Sequence, residues 1–212
     1  MEPLAAVRPP QQSRSRASFE RVLAAGAELL AAQGYDAFTL AELSQRSGVS
    51  IGAIYARVDS KETLVLALHE REMARMADEH AVLADERRWV GLDAAETIEG
   101  LVRELSGVMG RNEAILRAFL LRAASDERIA AAGSRASHEL ALLWEARALT
   151  RRTDYGHPDP ELAVDVCYRL VYAAFIRRVL HGGGFESERP LSWAQLEDEL
   201  VAICQGYLGL GR

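Results

Sequence analysis

The run Ser50-Ile51-Gly52-Ala53-Ile54-Tyr55-Ala56-Arg57 combines small residues with a hydroxyl, a phenol and a guanidinium. Wound as a helix, it offers one face made of Gly52, Ala53, Tyr55 and Arg57. The chemistry open to that face is recognition rather than turnover. Small residues admit the close approach of a groove, and polar tips donate to phosphates and base edges. Ser50 and the free amides at the helix start add a place for a phosphate.

Such a face works only if neighbouring elements hold it, and the local sequence supplies them. Over residues 16–33, Phe19, Val22, Leu23, Gly26, Leu29 and Leu30 recur at intervals of three and four. That is one side of an amphipathic helix, and Gly34 ends it. Thr39 and Glu42 form a capping box, with Phe38 and Leu43 as the hydrophobic staple around it. The second helix stops at Gly48, which suits a left-handed cap. Ser50 then caps a short helix over residues 51–57. Leu40, Leu43, Val49, Ile51 and Ile54 are expected to share a small core with the first helix. Asp59 and Glu62 are expected to cap a long helix running to about residue 85.

Residues 19–64, FERVLAAGAELLAAQGYDAFTLAELSQRSGVSIGAIYARVDSKETL, resemble the DNA-binding domain of the tetracycline-repressor (TetR) family. The elements that carry the resemblance are Gly34 before Thr39, Leu43, Ser47-Gly48-Val49-Ser50, Gly52, Tyr55 and Ser60-Lys61-Glu62. The resemblance implies that Thr39, Tyr55 and Lys61 contact phosphate. It implies that Arg46 sits near the backbone or a base, and that Ser50, Ile51, Gly52 and Ala53 face the groove. Arg57 stands where a His is common and Val58 where a Phe is common. Arg57 is expected either to read a guanine or to rest on phosphate.

Downstream, the sequence predicts helices over about 93–110, 111–124, 127–151, 160–181 and 193–208. Asp93 with Glu96 and Ser192 with Gln195 are capping pairs, and Asp159 precedes Pro160 at a helix start. The whole reads as all-α with about nine helices and no strand. Residues 1–15 are expected to be a flexible arm, 16–61 a helix-turn-helix domain and 62–212 a helical ligand-binding and dimerisation domain. The helix from Leu162 is apolar on nearly every side, and that from Trp193 carries one apolar stripe. Two such helices per subunit can build a four-helix dimer interface. The resemblance implies the same homodimer and a small-molecule cavity. Candidate lining residues are Met109, Leu116, Phe119, Leu120, Leu143, Trp144, Tyr168 and Tyr172; each also suits a plain core. Arg117, Arg122 and Arg147 are possible partners of an anionic effector.

The net charge of −6 is unevenly spread. Residues 1–61 hold seven cations against six anions, so the acidity lies further on, and DNA affinity follows local charge. No catalytic motif is recognisable, and the chain is expected not to be an enzyme. No cofactor is expected. The five histidines lack the spacing of metal ligands. No apolar run is long enough for a bilayer, and the start does not read as a signal peptide. Cys167 and Cys204 fall on apolar stripes and read as buried reduced thiols rather than a disulfide or redox switch, which suits a cytoplasmic setting. The leading expectation is a regulator released from double-stranded operator DNA by a small-molecule effector. The alternative is a helical small-molecule-binding protein whose DNA module is silent.

Overall fold

The structure, a computed structural model, describes residues 13–185 and 187–210. The expected N-terminal arm lies outside them up to residue 12, and residues 13–15 already belong to the first helix. Nine α-helices run along the described residues: α1 (Ser13–Ala37), α2 (Leu40–Ser47), α3 (Ile51–Tyr55), α4 (Lys61–His80), α5 (Ala94–Arg111), α6 (Glu113–Ala123), α7 (Glu127–Ala148), α8 (Pro160–His181) and α9 (Trp193–Leu208). No strand occurs among the described residues. Short 3-10 turns cover Ala81–Ala84, Glu86–Trp89 and Leu149–Asp154.

The helix ends follow local chemistry. Gly34 takes φ 75°, where a side chain would be strained, and breaks α1 there. Gly48 closes α2 with φ 67° in the left-handed region, its N–H donating to Ser44 O. The capping boxes Asp93–Glu96 and Ser192–Gln195 are both complete, starting α5 and α9. Asp159 accepts from Leu162 N, and Pro160 opens α8. One cap differs from expectation. Ser60, not Asp59, is the residue whose oxygen accepts from the third amide of α4, at 3.2 Å from Thr63 N. Ser60 and Asp59 are both good cap residues, and Ser60 wins because helical backbone begins only at Lys61. The α-helix also ends sooner than expected, at His80, and tightens into 3-10 turns.

Contacts group the chain into two compact units. The first joins the described residues up to 75 with 114–133, and the second joins 76–113 with the described residues from 134 to 210. In the first, α1 packs on α2 and α2 on α3. Leu30, Phe38, Leu43, Ile54 and Leu64 are fully buried there. In the second, α5, α8 and α9 pack against one another. Ile98, Leu101 and Leu105 make the buried stripe of α5, and Phe175 and Trp144 are equally enclosed.

The small core of the helix-turn-helix is narrower than the sequence predicts. Leu43, Val49 and Ile54 are buried and Leu40 is half-buried, but Ile51 is 41% exposed. Ile51 sits in the first turn of a helix of only 5 residues, where it stays open to solvent. Leu43→Ala should therefore cost about 2–5 kcal/mol in urea unfolding. Ile51→Ala should stay within about 1 kcal/mol of wild type. Equal losses would place Ile51 back in the core.

Candidate nucleic-acid interface

The turn between α2 and α3 is built from its own polar atoms. Ser47 is buried, and its hydroxyl accepts from Val49 N at 3.3 Å. Ser50 ends the turn, with its hydroxyl accepting from Ala53 N at 3.2 Å. Ile54 then points fully inward while Gly52, Ala53 and Ala56 are exposed, as is Tyr55 at 45%. Val58, the residue that replaces a common Phe, is completely buried just beyond. The outcome is a bare helical face of small residues with one phenol at its edge, joined by the exposed Ile51.

Thr39, at the start of α2, is exposed. Its hydroxyl accepts from Glu42 N and donates to the Glu42 carboxylate at 2.9 Å. Hydrogen bonds from Gln33 and Thr39 hold the Glu42 carboxyl below its ordinary range. Arg46 pairs with Glu28 at 3.0 Å, with both side chains more than half exposed. Such a pair is worth little and yields readily to a phosphate.

Arg57 departs from the expected geometry. It is half-buried, with its guanidinium over the Phe19 ring at 4.8 Å and Nη1 3.5 Å from the Ser15 hydroxyl. The reason is its spacing. Arg57 lies three residues after the buried Ile54, so it turns toward α1 rather than out beside Tyr55. Lys61 is also engaged: its Nζ donates to Tyr35 O at 2.7 Å and lies 4.2 Å from the Tyr35 ring centre. That ties the start of α4 to the end of α1.

A second knot at the same place involves residues that sequence reasoning did not assign to the interface. Tyr35 donates its phenol proton to Glu62 at 2.7 Å. This bond, with help from the Glu62 amide and Ser60, holds the Glu62 carboxyl down to about 2 from an ordinary 4.5. Burial and the same bond raise the Tyr35 phenol. Arg122, at the end of α6, lays its guanidinium over the Tyr35 ring at 3.9 Å and pairs with Asp126 at 3.1 Å. Asp126 is buried and also accepts from Arg128. Burial raises its carboxyl, but the two arginines outweigh that and lower it. Arg122 is thus spoken for within the protein. Arg147 likewise donates to Leu83 O at 3.0 Å and lies over Trp89.

The expected lining residues fall into both units. Leu116, Phe119 and Leu120 belong to the first, where Phe119 packs edge-on against His69 at 4.8 Å. Met109, Leu143, Trp144, Tyr168 and Tyr172 belong to the second. There Trp144 meets Tyr168 at 5.8 Å, and Tyr168 stacks on Tyr172 at 5.6 Å. Tyr168 donates to Ser137 O at 2.9 Å. Trp144 has no exposed surface. Leu116, Leu120, Leu143 and Tyr172 are half-buried. Among the described residues, no group of three or more His, Cys, Asp or Glu could hold a metal, and no helix is long and apolar enough to cross a membrane.

Residues 22–68, which hold the whole turn and the bare face of α3, match the family model described as bacterial regulatory proteins, tetR family. Residues 22–68 are thus a DNA-binding domain of the tetR-family type. Over most of its described length the chain has the fold of solved TetR-type structures. A transcriptional regulator from Cytophaga hutchinsonii is similar at TM-score 0.68 and 14% identity, covering 91% of this chain and 97% of that one. A TetR transcription regulator from Haloarcula marismortui gives TM-score 0.68 and 16% identity over 92% and 97% of the two chains. A tetR-family regulatory protein from Rhodococcus RHA1 gives 0.65 and 20% over 95% and 100%. No curated protein matches the chain. The N-terminal part of the chain is therefore a helix-turn-helix of the kind found in DNA-binding regulators.

Two expectations test this geometry. Arg57→Ala should weaken binding by one factor across a panel of operator variants, because its guanidinium is held on Phe19. A loss confined to one base pair would mean that Arg57 leaves that ring to read a guanine. Tyr35→Phe should lower stability at neutral pH, because the depressed Glu62 stabilises the fold only while ionised. The difference from wild type should shrink as pH falls from about 4.5 to about 2. Denaturant titrations at several pH values check this, and a pH-independent difference would refute the role given to Glu62.

Proposed function

We propose that the chain is a homodimeric repressor that binds an inverted-repeat operator and is released from it by a small, largely apolar molecule. The observation that carries the DNA reading is the bare face of α3, where Ile51 and Tyr55 stay exposed while Ile54 anchors the helix. In this reading Ser50, Ile51, Gly52 and Ala53 face the major groove. Thr39, Tyr55 and Lys61 take phosphates, with Arg46 near the backbone and Arg57 supporting from the side of α1. Lys61 serves best by fixing α4 while its remaining N–H groups face the phosphate.

Twofold assembly is supported by apolar residues left uncovered on the second unit. Leu162 and Leu170 on α8, and Ile203 and Tyr207 on α9, are each 42% to 52% exposed. A stripe of that kind on adjacent helices suits an isologous interface. Release by an effector requires a molecule that binds the non-binding conformation better than the binding one. Tyr172, half-buried and stacked on Tyr168, and the half-buried Leu143 are the better candidates for contacting it. Trp144 is better read as support for them.

The experiment is selection of binding sequences from a random DNA pool, with sedimentation of the complex at micromolar protein. An inverted repeat bound by two chains is expected. A stable monomer tightly bound to a single site would overturn the dimer reading. Failure to bind even random duplex at low salt would overturn the DNA reading.

A further inference from the structure

Cys167 and Cys204 are the only cysteines of the chain, and the fold brings them together. They lie 37 residues apart, one on α8 and one on α9. Both are enclosed, at 1% and 0% exposure, where the two helices pack. Cys167 Sγ stands 3.9 Å from the carbonyl oxygen of Cys204, a long contact for a thiol donor. The two thiols also meet each other, and the Cys204 S–H can donate to the Cys167 sulfur. That bond lowers the Cys167 thiol in spite of its burial and raises that of Cys204. Of the two, Cys167 is the sulfur that loses its proton more readily, with Cys204 beside it.

We propose that Cys167 and Cys204 form a dithiol redox pair that a small hydroperoxide oxidises to a disulfide joining α8 to α9. In the first step the Cys167 sulfur attacks the peroxide oxygen. An S–O bond forms, the O–O bond breaks, and one water leaves with the thiol's proton, giving a sulfenic acid. In the second step the Cys204 sulfur attacks the sulfenic sulfur. The S–S bond forms, the S–O bond breaks, and a second water carries off the remaining protons. Two thiols lose two electrons in all, and hydrogen peroxide is reduced to two waters. Hydrogen peroxide is scarcely larger than water, so partial opening of the α8–α9 contact admits it. The second step needs no long-range movement, because the resolving thiol already touches the first.

The test treats the full-length reduced protein with hydrogen peroxide, removes the oxidant, unfolds the protein and adds a maleimide. Mass spectrometry should find no maleimide, a mass lower by two hydrogens, and a Cys167–Cys204 peptide cross-link within one chain that dithiothreitol reverses. Oxidised wild type should also melt several degrees above its reduced form, because the new bond closes a long loop. Cys204→Ser, checked for native helicity, should form no such cross-link and show no rise. Two maleimides on treated wild type, sulfinic acid at either position, or a cross-link only between chains would overturn the proposal. So would an oxidised form that melts at or below the reduced one.

Discussion

A helix of 5 residues cannot stand alone in water, and everything at the interface depends on that constraint. α3 persists because Ile54 is fully buried and Ser50 caps its first turn. Burying one side chain of that size contributes about 1.5–3 kcal/mol. A cap adds about 1 kcal/mol. With Ile54 fixed inward, helical geometry leaves Gly52 and Tyr55 facing out. The same residue that stabilises the element therefore sets what it presents to a groove. Leu43 and Val49 complete the seat, and the left-handed turn at Gly48 gives α3 its direction from α2.

The position of α4 next to this seat is fixed by polar contacts as well as by its buried Leu64 and Leu68. Lys61 closes on the carbonyl of Tyr35, and Glu62 takes the phenol proton of the same residue. Arg122 stacks on the ring from α6 and is itself held by Asp126. Tyr35 thus collects contacts from the ends of α1, α4 and α6. Charged groups packed this closely resist partial disruption, since loss of one partner leaves the others with poorly solvated charge.

The fold was legible where a single local rule decided the outcome. Helix starts at Asp93, Asp159 and Ser192 follow from cap chemistry within a few residues, and all three form as the sequence predicts. The cap of α4 misses by one residue because Asp59 and Ser60 have similar capping strength. The spacing of Ile51 from Ile54 predicts a core position, yet spacing says nothing about whether another element covers the first turn. The pattern of small and polar residues puts Arg57 on the outer face, although its interval of three from Ile54 points it inward. The contacts of Tyr35 left no mark in the sequence, because Glu62 lies 27 residues away and Arg122 further still. The thiol pair was legible only as two apolar stripes, since nothing in either stripe fixes which residue of one helix meets which of the other.

The claim that the outer face of α3 grips the DNA backbone is tested most directly by the salt dependence of operator affinity in wild type and Tyr55→Ala. Tyr55 is well exposed, so its removal spares the fold. The account predicts weaker binding to every sequence and a slope of log affinity against log salt that is shallower by up to about one unit. Unchanged affinity with an unchanged slope would contradict it, and the groove would then have to be met by another face of the protein.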